Sequence, residues 1–277
     1  MSTRINHNIL AMTAQRNIWS TQSSLDTAVT RLSSGLRINY AWDDPAGLAV
    51  SERFRAQIES MTEAERNANY NVNLLATAEG ALQTIDNTLN RMRALSIQAS
   101  NGALASQDRA SLDLEFQQLA SEITRIAQTT NYNGLHLIDG TFSQNGIKFH
   151  IGTYNVSGQD YYYVTMSDMS SSALGLTGLN LLTTLSAQNA IASIDAAINT
   201  KDTERTRIGS QVSRLQNTIQ NLQIARENAS ASESQIRDAD IAAEMSNFVR
   251  SQLLMQTGIS MLSQANMIPQ IVAGLVG

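Results

Sequence analysis

The stretch RLSSGLRINYAWDDPAGLAV, residues 31–50, separates two regions of the chain that both carry the apolar repeat of a long helix. Within it lie four residues that bend or restart a backbone: Gly35, Asp43, Asp44 and Pro45. An Asp side chain can cap the N-terminus of a helix, and proline is tolerated in the first turn because the amide hydrogen it lacks has no helical partner there. The stretch therefore predicts a joint, at which one helix ends and another begins.

Apolar residues recur every seven positions on both sides of this joint. The longest series is unbroken from Phe54 to Leu89, and a second one runs from Ile194 to Ile236 with Lys201 as its one exception. Such a repeat keeps one side of a helix facing a partner helix, as in coiled coils. We therefore predict a mainly α fold, in which long antiparallel helices form a coiled-coil-like rod.

The heptad pattern stops between the two long series, in residues 131–180. Three Asx-Gly dipeptides, which favour tight turns, begin at Asn133, Asp139 and Asn145. The segments IKFHI and YYYVTM are rich in residues that favour strands, and the first of them alternates apolar and polar positions. We predict a small β-hairpin region here, inside a helical rod domain of residues 44–236.

The two ends of the chain, residues 1–43 and 237–277, have the pattern of a separate antiparallel helix pair. Two helices alone bury too little apolar surface to be stable in water. Both ends are also poor in charge, since residues 5–15 and 251–277 contain no Asp, Glu, Lys or Arg. We therefore predict that further copies of the chain cover this pair, and that its heptad residues make the polymerisation contacts. These residues are Ile18, Leu25, Leu32, Ile241, Phe248, Met255 and Leu262.

Composition and motifs argue against several classes of function. A net charge of −5 and the absence of Lys/Arg runs argue against nucleic acid as a partner. No apolar stretch reaches the ~20 residues of a membrane span, so we expect no membrane insertion. There is no cysteine, and His7, His136 and His150 stand in no metal-binding or catalytic motif. We expect neither an enzyme nor a bound metal or cofactor.

Long motifs at both ends resemble the terminal core segments of bacterial flagellins. RLSSGLRIN, DDPAGLAVSERFRAQI, RNANYNVNLLATAEGAL, LNRMRALSIQASNG and YNG are similar to the N-terminal core of that family. ESQIRDADIAAEMSNFVRSQLLMQTGISMLSQANMIPQ is similar to its C-terminal core, so that the resemblance covers roughly residues 1–140 and 187–277. Between them, ALGLTGLNLLTTLSAQ passes almost directly from the β region to the returning helix, which resembles a short form without the large outer domains.

The resemblance implies a structural subunit that self-assembles into the bacterial flagellar filament, which serves swimming motility. It implies export of the unfolded chain through the flagellar type III secretion channel without a cleaved signal, and a terminal helix pair that forms the inner tube. Implied partners are a filament cap protein, a hook–filament junction protein and an export chaperone. The filament would be extracellular, or a periplasmic flagellum in a spirochaete, a group that GLAVSERFRAQI and ASESQIRDAD also resemble.

One motif resembles the segment by which some flagellins are recognised by a toll-like innate immune receptor. The pattern Q-R-x-R-x-L-x-x-Q, followed by a Glu on the next helix, is matched by Arg91, Arg93, Leu95, Gln98 and Glu115, while Asn90 replaces the first Gln. The resemblance implies receptor recognition at these positions. The alternative is that they are exposed or subunit-contacting positions of the rod without a receptor role.

Two other functions are compatible with the helical pattern. A hook–filament junction protein of the same export system shares the terminal helices but does not grow a long polymer. A non-flagellar helical adhesin or scaffold would need a charged, soluble tail, whereas the tail here is uncharged and apolar. The unbroken match in the rod motifs favours the filament subunit.

Overall fold

The computed structural model describes the backbone of residues 7–276 and the side chains of residues 7–267. The described part is mainly α, as predicted, and also contains two small antiparallel hairpins. Its helices are α1 Ile9–Ser34, α2 Pro45–Ala99, α3 Ser106–Thr129, α4 Thr184–Arg237 and α5 Ile241–Val276. Its strands are β1 Asn131–Tyr132, β2 Leu135–His136, β3 Ile147–His150 and β4 Tyr161–Val164. None of the helices within residues 7–276 combines the length and apolar character that a membrane span needs.

The described residues form two compact units, whose limits fall inside α2 and α4. The terminal unit holds the chain up to Ile58 and from Glu227 onward, and the central unit holds Glu59–Arg226. The division predicted from the sequence, at 43/44 and 236/237, separates an inner tube from a rod. Because inner tube and rod are roles in an assembled filament, this division stays a prediction.

The core of the central unit follows the heptad stripes of its helices. The fully buried members of these stripes include Leu75, Leu82 and Leu89 on α2 and Ile194 and Leu215 on α4. Phe116 of α3 and Phe149 of β3 are buried in the same cluster. The seven-residue spacing therefore identifies the buried side of each long helix correctly.

Ion pairs between α2 and α4 show that the two helices run antiparallel in the central unit. The pairs, which we call the α2–α4 ladder, are Glu65–Arg226, Glu79–Arg205, Asp86–Lys201 and Arg93–Asp195. The N···O distances of the three arginine pairs lie between 2.5 and 2.8 Å. Residue numbers rise along α2 while those of the partners fall along α4, as an antiparallel pair requires.

Lys201 is the exception in the α4 heptad series, and it lies inside the central unit. Its side chain is 2% exposed, and Nζ contacts Asp86 Oδ1 and lies 2.7 Å from Asp202 Oδ1. Burial by itself would lower the pKa of Lys201, but the hydrogen bonds and charges of Asp202 and Asp86 outweigh it and raise that pKa. The residue is thus a buried cation between two carboxylates, at a position where the repeat otherwise places an apolar side chain.

The hairpins β1–β2 and β3–β4 lie in the segment that the dipeptide turns indicated. Asn133 has a φ of 51° and Gly134 a φ of 81°, the positive values that a tight Asn-Gly turn between two strands requires. The strands end at Val164, so only the first part of the predicted region 131–180 is β. The segment that follows is rich in Ser and Gly and forms turns and bends.

Candidate self-assembly surface

α1 and α5 pack against each other and form the helix pair of the terminal unit. A Cβ added at Gly258 would lie 3.0 Å from Ile18 Cγ1, so the missing side chain allows the two helices to approach closely. Asn8 joins the start of α1 to α5, because its Nδ2 donates a hydrogen bond to the carbonyl oxygen of Ala265 at 2.8 Å. The other end is joined by an ion pair, in which Arg31 Nη1 lies 3.0 Å from Glu244 Oε1. The charged and polar ties therefore stand at the two ends of the pair.

The seven residues predicted to make polymerisation contacts are only partly covered by this pairing. Six of them are half-buried: Ile18, Leu25, Leu32, Phe248, Met255 and Leu262. The seventh, Ile241, is 48% exposed. A helix with a single partner is covered on one side only, which explains the partial burial. Contacts between these residues and neighbouring copies of the chain stay a prediction.

Large apolar side chains outside the predicted set are exposed on both helices of the pair. On α1, Leu10, Met12 and Trp19 are between 62% and 69% exposed. On α5, the exposed members are Met245, Val249, Leu253, Leu254, Ile259, Met261 and Met267. We call these two sets the exposed apolar faces. An interpretation that follows one heptad track misses these residues. The uncharged stretches 5–15 and 251–277 include most of them, but not Trp19, Met245 or Val249.

The joint after α1 is a tight turn held by hydrogen bonds to its own backbone. Gly35 has a φ of 72°, and its N–H donates to the carbonyl oxygen of Arg31 at 2.8 Å, which ends α1. The Asp43 carboxylate accepts the N–H groups of Tyr40 and Asn39 at 2.9 and 3.0 Å. These two hydrogen bonds lower the pKa of Asp43, since they stabilise its charged form.

The other end of the joint starts α2. Asp44 Oδ1 accepts the N–H of Gly47 at 2.8 Å, and Pro45 is the first residue of the helix. The joint is also tied to the last turn of α4, because the Arg37 guanidinium donates to the carbonyl oxygen of Ile236 at 2.7 Å. Of the four residues singled out in the sequence, Gly35 ends α1, Asp43 holds the turn between the helices, and Asp44 and Pro45 start α2.

The residues that match the receptor segment differ in accessibility. Leu95 is 1% exposed and belongs to the core of the central unit, whereas Arg91 and Gln98 are exposed. Arg91 Nη2 lies 2.7 Å from Glu115 Oε1, which joins α2 to α3 at the surface and raises the pKa of Arg91 through the hydrogen bond. The fold brings Arg91 and Glu115 together and places Leu95 inside.

Buried carboxylates in the central unit serve the fold. Glu204 is 4% exposed, accepts the hydroxyl hydrogen of Ser167 at 2.9 Å and lies 2.6 Å from Arg207 Nη2. Asp160 is 8% exposed and accepts two backbone N–H groups of the loop before β4. In the described part of the chain, no group of three His, Cys, Asp or Glu residues is placed to hold a metal ion.

Comparison with known protein families covers most of the chain. The bacterial flagellin N-terminal helical region matches residues 5–143, and the bacterial flagellin C-terminal helical region matches residues 191–276. The chain belongs to the bacterial flagellin family. As a flagellin it is a structural subunit of the flagellar filament and not an enzyme. Only residues 144–190 lie between the matched regions, so this is a short flagellin without the large outer domains.

Relatives of nearly equal length support this assignment. A flagellin of Halalkalibacterium halodurans is 42% identical over 272 residues, which cover 98% of this chain and 99% of the relative. Flagellin FlaB2 of Treponema pallidum is 36% identical over 286 residues, again covering 98% of this chain and 99% of the relative. The crystal structure of Bacillus cereus flagellin is 35% identical and covers 57% of this chain and 88% of its own, with a TM-score of 0.49. The two family matches and the two flagellins of nearly equal length confirm the resemblance seen in the terminal motifs.

Proposed function

We propose that copies of this flagellin polymerise into the filament through the exposed apolar faces of α1 and α5. The observation that carries the proposal is the exposure of so many large apolar side chains on α1 and α5, the paired helices of the terminal unit. Apolar surface removed from water stabilises an assembly by about 25 cal/mol per Å². A second copy placed against these faces therefore gains free energy from contacts that the single chain leaves unmade.

The charge distribution supports the same surface. The described part of α5 beyond Arg250 contains no Asp, Glu, Lys or Arg. Burying this stretch between copies therefore leaves no charged group unpaired, and the desolvation penalty of charges does not arise. A relative from Treponema phagedenis, 37% identical over 286 residues, bears the name flagellar filament 33 kDa core protein, which agrees with the proposal.

We also propose that the chain passes unfolded through the flagellar type III channel before it assembles. The chain has no cysteine and therefore no disulfide that would hold it folded. The helix pair of the terminal unit depends on packing for its stability, and a lone pair is easily opened. An export chaperone that covers the α5 face, and cap and hook–filament junction proteins at the filament ends, complete the proposed partners. The filament then lies outside the cell, or in the periplasm of a spirochaete.

For a toll-like receptor, we propose contact with Arg91, Gln98 and Glu115 only. Leu95 is buried and would have to leave the core of the central unit to be contacted. The Arg91–Glu115 pair is accessible on both sides, with side-chain exposures of 56% and 41%. A receptor would therefore meet an ion pair at the surface of α2 and α3.

Polymerisation is tested by salting out the purified monomer. Negative-stain electron microscopy detects filaments, and sedimentation measures the critical concentration. Leu253→Asn changes a residue of the α5 face that is 57% exposed, and Ile224→Asn is its matched control on α4, at 58% exposure. Full burial of a leucine is worth about 1.5–3 kcal/mol, and roughly half of that is still to be gained at Leu253. We therefore expect Leu253→Asn to raise the critical concentration about tenfold.

The control variant should raise the critical concentration by no more than about twofold, as is usual for a surface change outside a contact. Circular dichroism of both monomers should match that of the unchanged chain. Equal effects of the two variants would refute the assignment of the interface to the terminal helices. An unchanged chain that stays monomeric at every salt concentration would refute polymerisation and favour a junction or binding role.

A further inference from the structure

Both tryptophans of the sequence line one groove of the terminal unit. The groove has a volume of about 430 Å³. Its lining includes three aromatic and three charged residues, which are Trp19, Tyr40, Trp42, Asp26, Arg31 and Asp43. Trp19 is 69% and Trp42 77% exposed. Tryptophan, tyrosine and arginine are the residues that contribute most at protein interfaces, so two exposed tryptophans in one groove indicate a contact surface. We call this the aromatic groove.

One wall of the aromatic groove is already in place in the single chain. The rings of Tyr40 and Trp42 stack with their centroids 4.5 Å apart and their planes inclined by 14°. The Asp43 carboxylate accepts the N–H groups of Tyr40 and Asn39 and so fixes the backbone that carries the two rings. A preformed wall of this kind binds with little loss of conformational entropy.

The charge of the aromatic groove is negative. Arg31, the cation among the lining residues, is paired with Glu244 at 3.0 Å and also attracts the Asp43 carboxylate, so the two carboxylates of the groove stand against one shared positive charge. Asp26 accepts a hydrogen bond from the amide of Gln22 at 2.9 Å, and Asp43 is bound to backbone N–H groups. Within residues 7–267 neither carboxylate is engaged in an ion pair. The groove thus combines aromatic faces with two carboxylates, a combination suited to a flat cation.

We propose that the aromatic groove receives the guanidinium group of Arg250 from a second copy of the chain, an inference that rests on the polymerisation proposed above. A guanidinium is planar and weakly hydrated, stacks on aromatic rings and pairs with carboxylates. Its attraction to a ring is strongest for tryptophan and grows when water is excluded. Trp19 and Trp42 supply the rings, and Asp26 and Asp43 supply the negative charge.

Arg250 is an exposed arginine of α5 that the proposed interface leaves unpaired. Arg16 of α1 is also exposed and has no ion pair within the described residues, but it lies on the helix that itself carries Trp19 of the groove. Arg250 is exposed on α5 beside Val249, Leu253 and Leu254 of the exposed apolar face, and it has no ion pair within the described residues. When another copy covers that face, Arg250 loses water, and an unpaired buried cation is costly. The covering copy must therefore supply a negative site. Trp19 belongs both to the α1 face and to the aromatic groove, so the groove is continuous with the surface that meets α5.

Fluorescence tests the burial of the groove. Trp19→Phe leaves Trp42 as the only tryptophan, so acrylamide quenching of the emission reports on that one side chain. We expect the quenching constant to fall at least about threefold from monomer to filament, because contacts at interface centres exclude water. Filaments in which Trp42 is quenched as strongly as in the monomer would overturn the inference and leave polymerisation intact. An unchanged chain that forms no filaments at all would overturn both.

Charge exchange tests the assignment of Arg250. We expect Arg250→Glu and Asp26→Arg each to raise the critical concentration about tenfold, and the double variant to return to within about threefold of the unchanged chain. Arg53→Glu combined with Asp26→Arg is the matched control, since Arg53 is also an exposed arginine of the terminal unit without an ion pair among the described residues. Additive losses in the first double variant, or an equal rescue in the control, would show that Arg250 is not the residue that enters the groove.

Discussion

Replacing Lys201 by methionine should destabilise the central unit, although methionine suits the heptad position better than lysine does. Methionine keeps the length and the apolar stem of the side chain, so the packing around it is largely preserved. The substitution removes the positive charge held by Asp86 and Asp202. The side chain of Asp86 is only 20% exposed, so water can replace little of what is lost there.

The burial of Asp86 and Asp202 determines how much unfolding free energy the substitution removes. Removing one member of a fully buried ion pair costs about 3–5 kcal/mol of unfolding free energy. Asp202 is 56% exposed and stays hydrated, so the loss comes mostly from Asp86. We therefore expect Lys201→Met to lower the free energy of unfolding by about 3 kcal/mol. In the double variant with Asp86→Leu, most of the loss should be recovered, because no buried carboxylate is left unpaired.

Urea unfolding of the full-length monomer, followed by circular dichroism, measures both variants. If the unfolding free energy of Lys201→Met lies within about 1 kcal/mol of that of the unchanged chain, the buried pair is refuted as a source of stability. The pH dependence gives a second check. The pKa of Lys201 is raised above its ordinary value of 10.5, so the contribution of the pair is complete below pH 10.5 and is lost as the pH rises through the raised value. The difference between the unchanged chain and Lys201→Met should therefore shrink as the pH rises above that value.

Three glycine and cap substitutions test the joint and the helix pair. Asp44→Ala removes the acceptor of the Gly47 N–H and should cost about 1 kcal/mol in urea unfolding, whereas Asp44→Asn, which keeps an acceptor, should cost clearly less. Gly35→Ala forces a Cβ into the left-handed region at a φ of 72° and should also cost about 1 kcal/mol, and an unchanged midpoint would contradict the cap geometry. Gly258→Leu should loosen α1 from α5, since even a Cβ there would lie 3.0 Å from Ile18 Cγ1. Hydrogen exchange should then speed up in both helices, and unchanged protection would disprove the close approach.

The helical part of the fold could be predicted because heptad spacing reports directly on burial. Leu75, Leu82 and Leu89 lie seven apart in the sequence and are all fully buried. The first hairpin could be predicted for a similarly local reason, because Asn133 and Gly134 accept the positive φ values of a tight turn. Local spacing and local backbone preference thus account for the elements and for the inner side of each helix.

The features that could not be predicted depend on partners that are distant in the sequence. Whether the exception Lys201 is buried is decided by Asp86, which stands 115 positions away on another helix. The extent of the candidate surface also depends on distant partners. Heptad spacing identifies which residues line a helix pair, but it does not identify which apolar side chains stay exposed to solvent. The stack of Tyr40 on Trp42 arises from the turn that Asp43 fixes, a geometry that no periodic pattern describes.

The α2–α4 ladder changes its sign along the helices. From Glu65 to Asp86 the acid stands on α2, but in the last pair Arg93 of α2 faces Asp195 of α4. Sliding α2 by one heptad in one direction would carry Arg93 to the place opposite Lys201, and sliding it the other way would carry Asp86 to the place opposite Asp195. Either error sets like charges against each other. A heptad repeat by itself does not distinguish one register from the next, because each heptad looks like its neighbour. The order of charges along the α2–α4 ladder does distinguish them, since a shift of one heptad in either direction brings like charges together.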